Sequence, residues 1–181
     1  MFVIKVINNF APLKKFARLF ASGSSFSGFN SPFRNMLEQW GERYLSYAQN
    51  HFLKSSRGGG DWPALKPATI RQRRKGKGKG KPSILYDTGM LFRALTRGQR
   101  GNRFDIKGYS VTVGYAGNSR HRKGKLTIKE LAEIHNEGKG HVPKRQIIIK
   151  PDGRLLHQMR NDAKRATRRA LAKYSIRGKG L

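Results

Sequence analysis

Five histidines, ten carboxylates and no cysteine are the residues this chain offers for metal or acid–base chemistry. Without cysteine there is no disulfide framework, no thiolate zinc site and no thiol nucleophile. Among His51, His121, His135, His141 and His157, the nearest approach to a ligand set is His135, Glu137 and His141. Those three straddle a predicted helix end and have no strong third partner, so they read as helix-end residues packing or capping locally. Glu130, Glu133 and Glu137 have the types for acid–base work. They lie along one predicted helix beside Lys129 and Lys139, which makes surface ion pairing their expected role. No Gly-x-Ser-x-Gly, phosphate-loop or dinucleotide fingerprint occurs, and Gly76, Gly78 and Gly80 lack the strand-to-helix context a phosphate cradle needs. A nuclease would need a metal-binding acid cluster that the chain does not display. No catalytic, cofactor-binding or metal-binding residue is therefore expected, and an enzyme is not.

Charge is the dominant signal. Lysine and arginine number 39 against 10 acids, a formal net charge of +29 over 181 residues. Such a chain repels itself until something anionic covers it. The cations concentrate in three clusters. The first is Arg71, Arg73, Arg74, Lys75, Lys77, Lys79 and Lys81, seven of eleven residues; the second is Arg120, Arg122 and Lys123 with Lys125. The third runs from Arg160 to Lys179 through Lys164, Arg165, Arg168 and Arg169, eight positive residues against one acid. Flexible lysines among glycines supply charge without rigid bidentate geometry. The expected role is contact with phosphates or with an acidic partner, without base readout.

The elements that must position these residues follow from periodicity and punctuation. Met1–Phe20 reads as a short strand, Phe2–Ile7, and a basic amphipathic helix, Pro12–Phe20, set off by the Ser22–Gly28 linker as an arm for a neighbour. Met1–Ser25 is acid-free, like a mitochondrial presequence, but the whole chain is acid-poor, so that likeness is discounted. No run approaches the roughly 18 apolar residues of a membrane span. Ser31-Pro32 starts a helix expected to reach Phe52, with Phe33, Met36, Leu37, Trp40, Tyr44, Tyr47, Ala48 and His51 on its core face.

Arg57–Gly60 breaks that helix, Trp62 and Leu65 anchor the following turn, and 71–81 is expected to be a solvated loop. Asp87-Thr88-Gly89 should cap a short helix, Met90–Leu95. A hairpin follows around Lys107-Gly108, carrying Phe104, Ile106, Tyr109, Val111 and Val113. Thr127 and Glu130 form a predicted capping box, and Gly138 a predicted helix stop. Val142-Pro143 with Ile147–Ile149 reads as an edge strand. The last helix, from Pro151-Asp152-Gly153 to about Tyr174, should pack Leu155, Leu156, Met159, Ala163, Ala166 and Ala170 while presenting cations opposite. The class is α+β: a small, mainly antiparallel sheet flanked by a long helix in the N-terminal half, a short central helix and a basic C-terminal helix. Residues 1–30 form the arm, 31–174 one domain with the basic loop 71–81, and 175–181 a basic tail.

Several of these pieces, taken in order, resemble the phage virion morphogenesis and tail-completion family of Mu-like phages. Asp61-Trp62-Pro63-Ala64-Leu65, Thr69 and Leu85–Leu91 with Thr88-Gly89 are similar to its "W-x-x-L, T, L-x-x-T/S-G-x-L" series. Val111-Thr112-Val113-Gly114 is similar to its "V-x-V-G" strand. Leu131–Gly138 followed by Val142-Pro143-Lys144-Arg145-Gln146-Ile147-Ile148 resembles its "A-x-I-H-x-x-G … P-x-R-x-hydrophobic" stretch. The series covers roughly Met36 to Ala170. The Gly-Lys run is an insertion relative to the pattern, and Gln146-Ile147 replaces the aromatic often found after the arginine.

The resemblance implies a non-enzymatic virion protein located at the neck or top of the tail. It implies a homo-oligomeric, six-fold ring joining the portal or connector to tail-terminator or tail-tube proteins; the charge, and not the resemblance, adds packaged double-stranded DNA as a candidate partner, and no membrane is expected. Trp62, Leu65, Thr88, Gly89, Gly138 and Arg145 are expected to act through folding and ring assembly, with Arg145 pairing with an acid or a carbonyl, within the subunit or across the ring. The competing expectation is a ribosomal or other sequence-nonspecific nucleic-acid-binding protein, against which the clusters lack aromatics that would stack on unpaired bases.

Overall fold

The computed structural model describes residues 4–6, 32–75, 83–107, 110–120 and 124–177. In chain order these form β1 (Ile4–Val6), α1 (Pro32–Ser56), α2 (Pro67–Lys75), α3 (Met90–Arg93), β2 (Asn102–Lys107), β3 (Ser110–Tyr115), α4 (Ile128–Glu137) and α5 (Gly153–Arg177). The fold is α+β, as expected. The β2–β3 hairpin is antiparallel, and the sheet order is β1-β3-β2. The expected arm helix Pro12–Phe20 and the Ser22–Gly28 linker lie outside the described residues. The strand predicted before them appears as β1, which adds to this chain's own sheet beside β3.

By internal contacts the described residues fall into two units. One holds those within Met1–Ile4, Tyr44–Phe104 and Val113–Lys150; the other holds those within Lys5–Arg43, Asp105–Thr112 and Pro151–Leu181.

Helix α1 begins at Pro32, where a missing amide hydrogen costs nothing and φ is already helical. It runs one turn beyond the expected Phe52. The stop is set by Gly58, whose φ of 85° is left-handed, inside the predicted break Arg57–Gly60. Gly59 N–H donates to Lys54 O and Gly58 N–H to Ser55 O, the paired bonds of a Schellman ending. The predicted core stripe is buried from Phe33 to Ala48 except Tyr47, which like His51 is half-buried. Leu45 and Phe52 are buried as well, so the covered arc is wider than one narrow stripe.

Residues 71–75, expected in a loop, are helical: they complete α2. Pro67 opens this helix, Ile70 N–H donates to Lys66 O, and Ala, Ile, Arg and Gln continue it up to the first glycine. Four cations in the last five residues did not outweigh a start signal and good helix formers. Residues 76–82 lie outside the described residues.

Helix α3 is shorter than the predicted Met90–Leu95, and its N-cap is Gly89 itself, at φ 71°, with no side-chain cap bond. Thr88 is therefore not the cap; its carbonyl accepts Arg93 Nη2 at 3.0 Å. A loss of cap energy on Thr88→Ala is not expected.

Helix α4 carries the complete capping box. Thr127 Oγ1 accepts Glu130 N–H at 3.1 Å, and Glu130 Oε2 accepts Thr127 N–H at 2.8 Å. Thr127→Ala should lower stability by about 1 kcal/mol, read as a shift in the urea midpoint; an unchanged midpoint would remove the cap from the account. The same box sets a pH dependence. Hydrogen bonds from the Thr127 backbone and hydroxyl hold the Glu130 carboxyl below its ordinary value. Its stabilisation is present above the unfolded carboxylate pKa and is lost as pH falls through the depressed folded one.

The helix ends on Gly138, left-handed at φ 74° and ψ 44°. A Cβ there would sit 2.9–3.0 Å from Lys144 Cβ, Cα and N, so both conformation and space exclude a side chain.

The predicted strand at Val142–Ile149 is not formed: no described residue there belongs to the sheet. Its amides are satisfied elsewhere. Arg145 N–H donates to His135 O at 2.7 Å, and Ile147 and Ile148 N–H both donate to Asn136 Oδ1 at 2.9 and 3.1 Å. With those amides committed to α4 and its side chain, the β-branched run has no free ladder to offer a strand.

Helix α5 starts after Asp152, whose Oδ1 accepts Leu155 N–H at 2.8 Å. Leu155, Met159, Ala163, Ala166 and Ala170 are buried as expected, and Leu156 is half-buried.

Candidate functional site

Two arrangements bring predicted residues together, one in each unit. In the first, Trp62 is buried to 6 % exposure under the end of α1, edge-on to Phe52 with ring centroids 5.0 Å apart and to His51 at 5.8 Å. Phe52 also meets Tyr86 and Phe92, at 6.4 and 5.6 Å. Polar atoms then fix the irregular segment 145–150. Trp62 Nε1 donates to Gln146 O at 3.0 Å, and His51 Nε2 lies 2.8 Å from the same oxygen. A carbonyl only accepts, so His51 carries its hydrogen on Nε2. Tyr44 OH donates to Ile149 O at 2.8 Å and Tyr47 OH to Lys150 O at 3.2 Å. Burial, first, and the neighbouring Tyr47 push the Tyr44 phenol far above its ordinary pKa, so it remains a donor throughout the pH range of a folded protein.

Arg145 closes this arrangement from the other side. It is 5 % exposed, and its Nε and Nη2 donate to Pro63 O at 3.3 and 3.0 Å. Of the two partners anticipated for it, an acid or a carbonyl, this is a carbonyl of the same chain. Leu65, the second expected anchor, is only half-buried. Trp62, Pro63, Arg145 and Gln146 thus lock the loop after α1 to the segment after α4. Every one of these bonds ends on a backbone carbonyl, which positions chain segments but presents no nucleophile, acid or base.

The second arrangement is the cationic side of α5. Arg160, Lys164, Arg165, Arg168 and Arg169 are all exposed. The one acid of this cluster, Asp162, is 3 % exposed, 3.0 Å from Arg43 Nε and hydrogen-bonded to Arg165. In the other clusters Arg71 is exposed on α2 and Arg120 is exposed, bridging to Thr127. Arg73, Arg74 and Lys75 belong to α2, whereas Lys77, Lys79, Lys81, Arg122 and Lys123 lie outside the described residues. The three expected clusters are therefore not gathered into one surface by anything described.

Sequence reasoning overlooked Asn136 and Asp162. Asn136 follows Ile128 and Ala132 at four-residue steps, so a polar residue on the buried line of α4 was the available signal. Asp162 was visible as a lone acid at the border of the apolar and cationic faces of α5. His135, Glu137 and His141 do not converge; Glu137 instead pairs with Lys139 at 2.6 Å, and Glu133 with Lys129 at 3.9 Å. Among the described residues no group of three or more His, Asp or Glu could hold a metal ion, and no helix is long and apolar enough to cross a membrane. No protein-family model, no curated protein and no solved structure matches the chain.

Proposed function

We propose that this chain is a structural virion protein of a tailed phage, a subunit of the tail-completion ring between head connector and tail. The observation that carries the reading is the fate of the motif residues. Trp62, Gly138, Arg145 and their neighbours, far apart in sequence, serve one another as packing partners, backbone donors and a left-handed stop. This is what a family signature looks like when it specifies a scaffold and no reaction. The high charge suits a subunit whose surfaces meet anionic partners, nucleic acid or acidic virion proteins.

Particles assembled without the protein test this directly. The expected products are filled heads and tails that fail to join, or tails that fall apart, with both restored by the protein supplied in trans. The purified chain should sediment as a ring, alone or with its neck partners. Complete, infectious particles formed without it would end the proposal. The cationic face of α5 favours a second reading, a nonspecific nucleic-acid-binding protein of the cell; portal and tail genes beside its reading frame support the first, ribosomal genes the second.

A further inference from the structure

We infer that the exposed face of α5 is a binding surface for the phosphate backbone of duplex DNA, used without regard to sequence. Arg160, Lys164 and Arg168 recur at four-residue steps, about 6 Å apart along the axis and within one stripe, and Arg169 lies about 100° further round the exposed side from Arg168. All four are exposed, and no acid pairs with them among the described residues. The only acid in the cluster, Asp162, is turned into the protein, where Arg43 and Arg165 neutralise it. Its burial keeps negative charge off the face, so the cations reinforce one another and lack an internal counterion.

The chemistry of the face selects the partner. An acidic protein would be held at an interface with an apolar, aromatic-rich centre, but Leu171 is the only large apolar residue that the described part of α5 leaves exposed. Single strands are held by aromatic side chains that stack on bases; among the described side chains of α5 no Phe, Tyr or Trp is exposed, and the one exposed ring is the imidazole of His157. A regular polyanion whose bases stay stacked needs neither. Long arginine and lysine side chains on one continuous helix meet phosphates and read no base edges. The inference goes beyond the neck proposal and does not depend on it, because it is read with purified protein and not with particles.

The test is binding of the full chain to a mixed-sequence 30-base-pair duplex by fluorescence anisotropy, across 50 to 200 mM salt. Four released counterions contribute about 3 to 4 to the slope of log affinity against log salt. The variant R160Q/K164Q/R168Q/R169Q should therefore show a slope shallower by that amount, losing about a hundredfold less affinity across this salt range. The pairs R160Q/K164Q and R168Q/R169Q should each remove about half, which keeps the test intact if the fourfold variant does not fold. R160K/R168K/R169K should keep the parent slope, since it keeps the charge. An unchanged slope in the folded variants would overturn the inference. So would tighter binding of polyglutamate or of the single strand than of the duplex at equal salt, the first pointing to an acidic protein and the second to unpaired nucleic acid.

Discussion

Trp62→Ala should lower the unfolding free energy by about 3 to 5 kcal/mol, the usual cost of emptying a buried tryptophan site. That is a large share of the 5 to 15 kcal/mol typical of a native domain. The ring fills the space between Phe52 and His51, and its Nε1 holds Gln146 O, so truncation opens a cavity and loosens segment 145–150 together. Trp62→Phe separates the two contributions. It keeps most of the ring contact with Phe52 and leaves His51 Nε2 on the same carbonyl, and should cost less than half as much. Denaturant unfolding followed by circular dichroism measures both. Equal losses in the two variants would mean that the hydrogen bond, and not the packing, carries the effect.

The second large effect is expected at Asn136. Its Oδ1 accepts two amides, Ile147 and Ile148 N–H, and the residue is 5 % exposed. Asn136→Leu is close in volume but accepts nothing. The buried Ile147 amide left without a partner costs about 1 to 3 kcal/mol, and the part-buried Ile148 amide adds to that loss. Hydrogen exchange gives a local readout: the Ile147 and Ile148 amides should lose their protection before those of the α1 interior. A loss under 1 kcal/mol, or unchanged protection of those two amides, would show that the segment is held by Trp62, Tyr44 and Arg145 without it.

These two residues also mark the limit of what was legible. Trp62 announced itself, because a tryptophan between a triple glycine and a charged stretch has few uses besides anchoring. Asn136 did not, since asparagine in a helix is most often on its solvent side, and only the packing of α4 turned it inward.

The same contrast runs through the chain. Local chemistry determined where α1 and α4 begin, because a proline at a first helical turn and a Thr-x-x-Glu box act within one turn of backbone. It determined the hairpin, whose alternating Val111 and Val113 are both fully buried, and the division of α5 into a packed and a cationic face. Tertiary structure decided what local preference left open or misdirected. Ile147–Ile149 has strand propensity, but strand propensity needs an unpaired neighbour to act on, and the amides of Arg145, Ile147 and Ile148 were already bound to α4. Thr88 has the type of a cap, yet the turn that delivers the chain to α3 places Gly89 there in a left-handed conformation that threonine rarely adopts. Asp162 counted as one acid among eight cations, and only the fold, by burying it against Arg43 and Arg165, left Arg160, Lys164, Arg168 and Arg169 exposed with no acid beside them among the described residues. Composition fixes how much charge a chain carries; which of those charges face solvent together depends on contacts between residues more than a hundred positions apart.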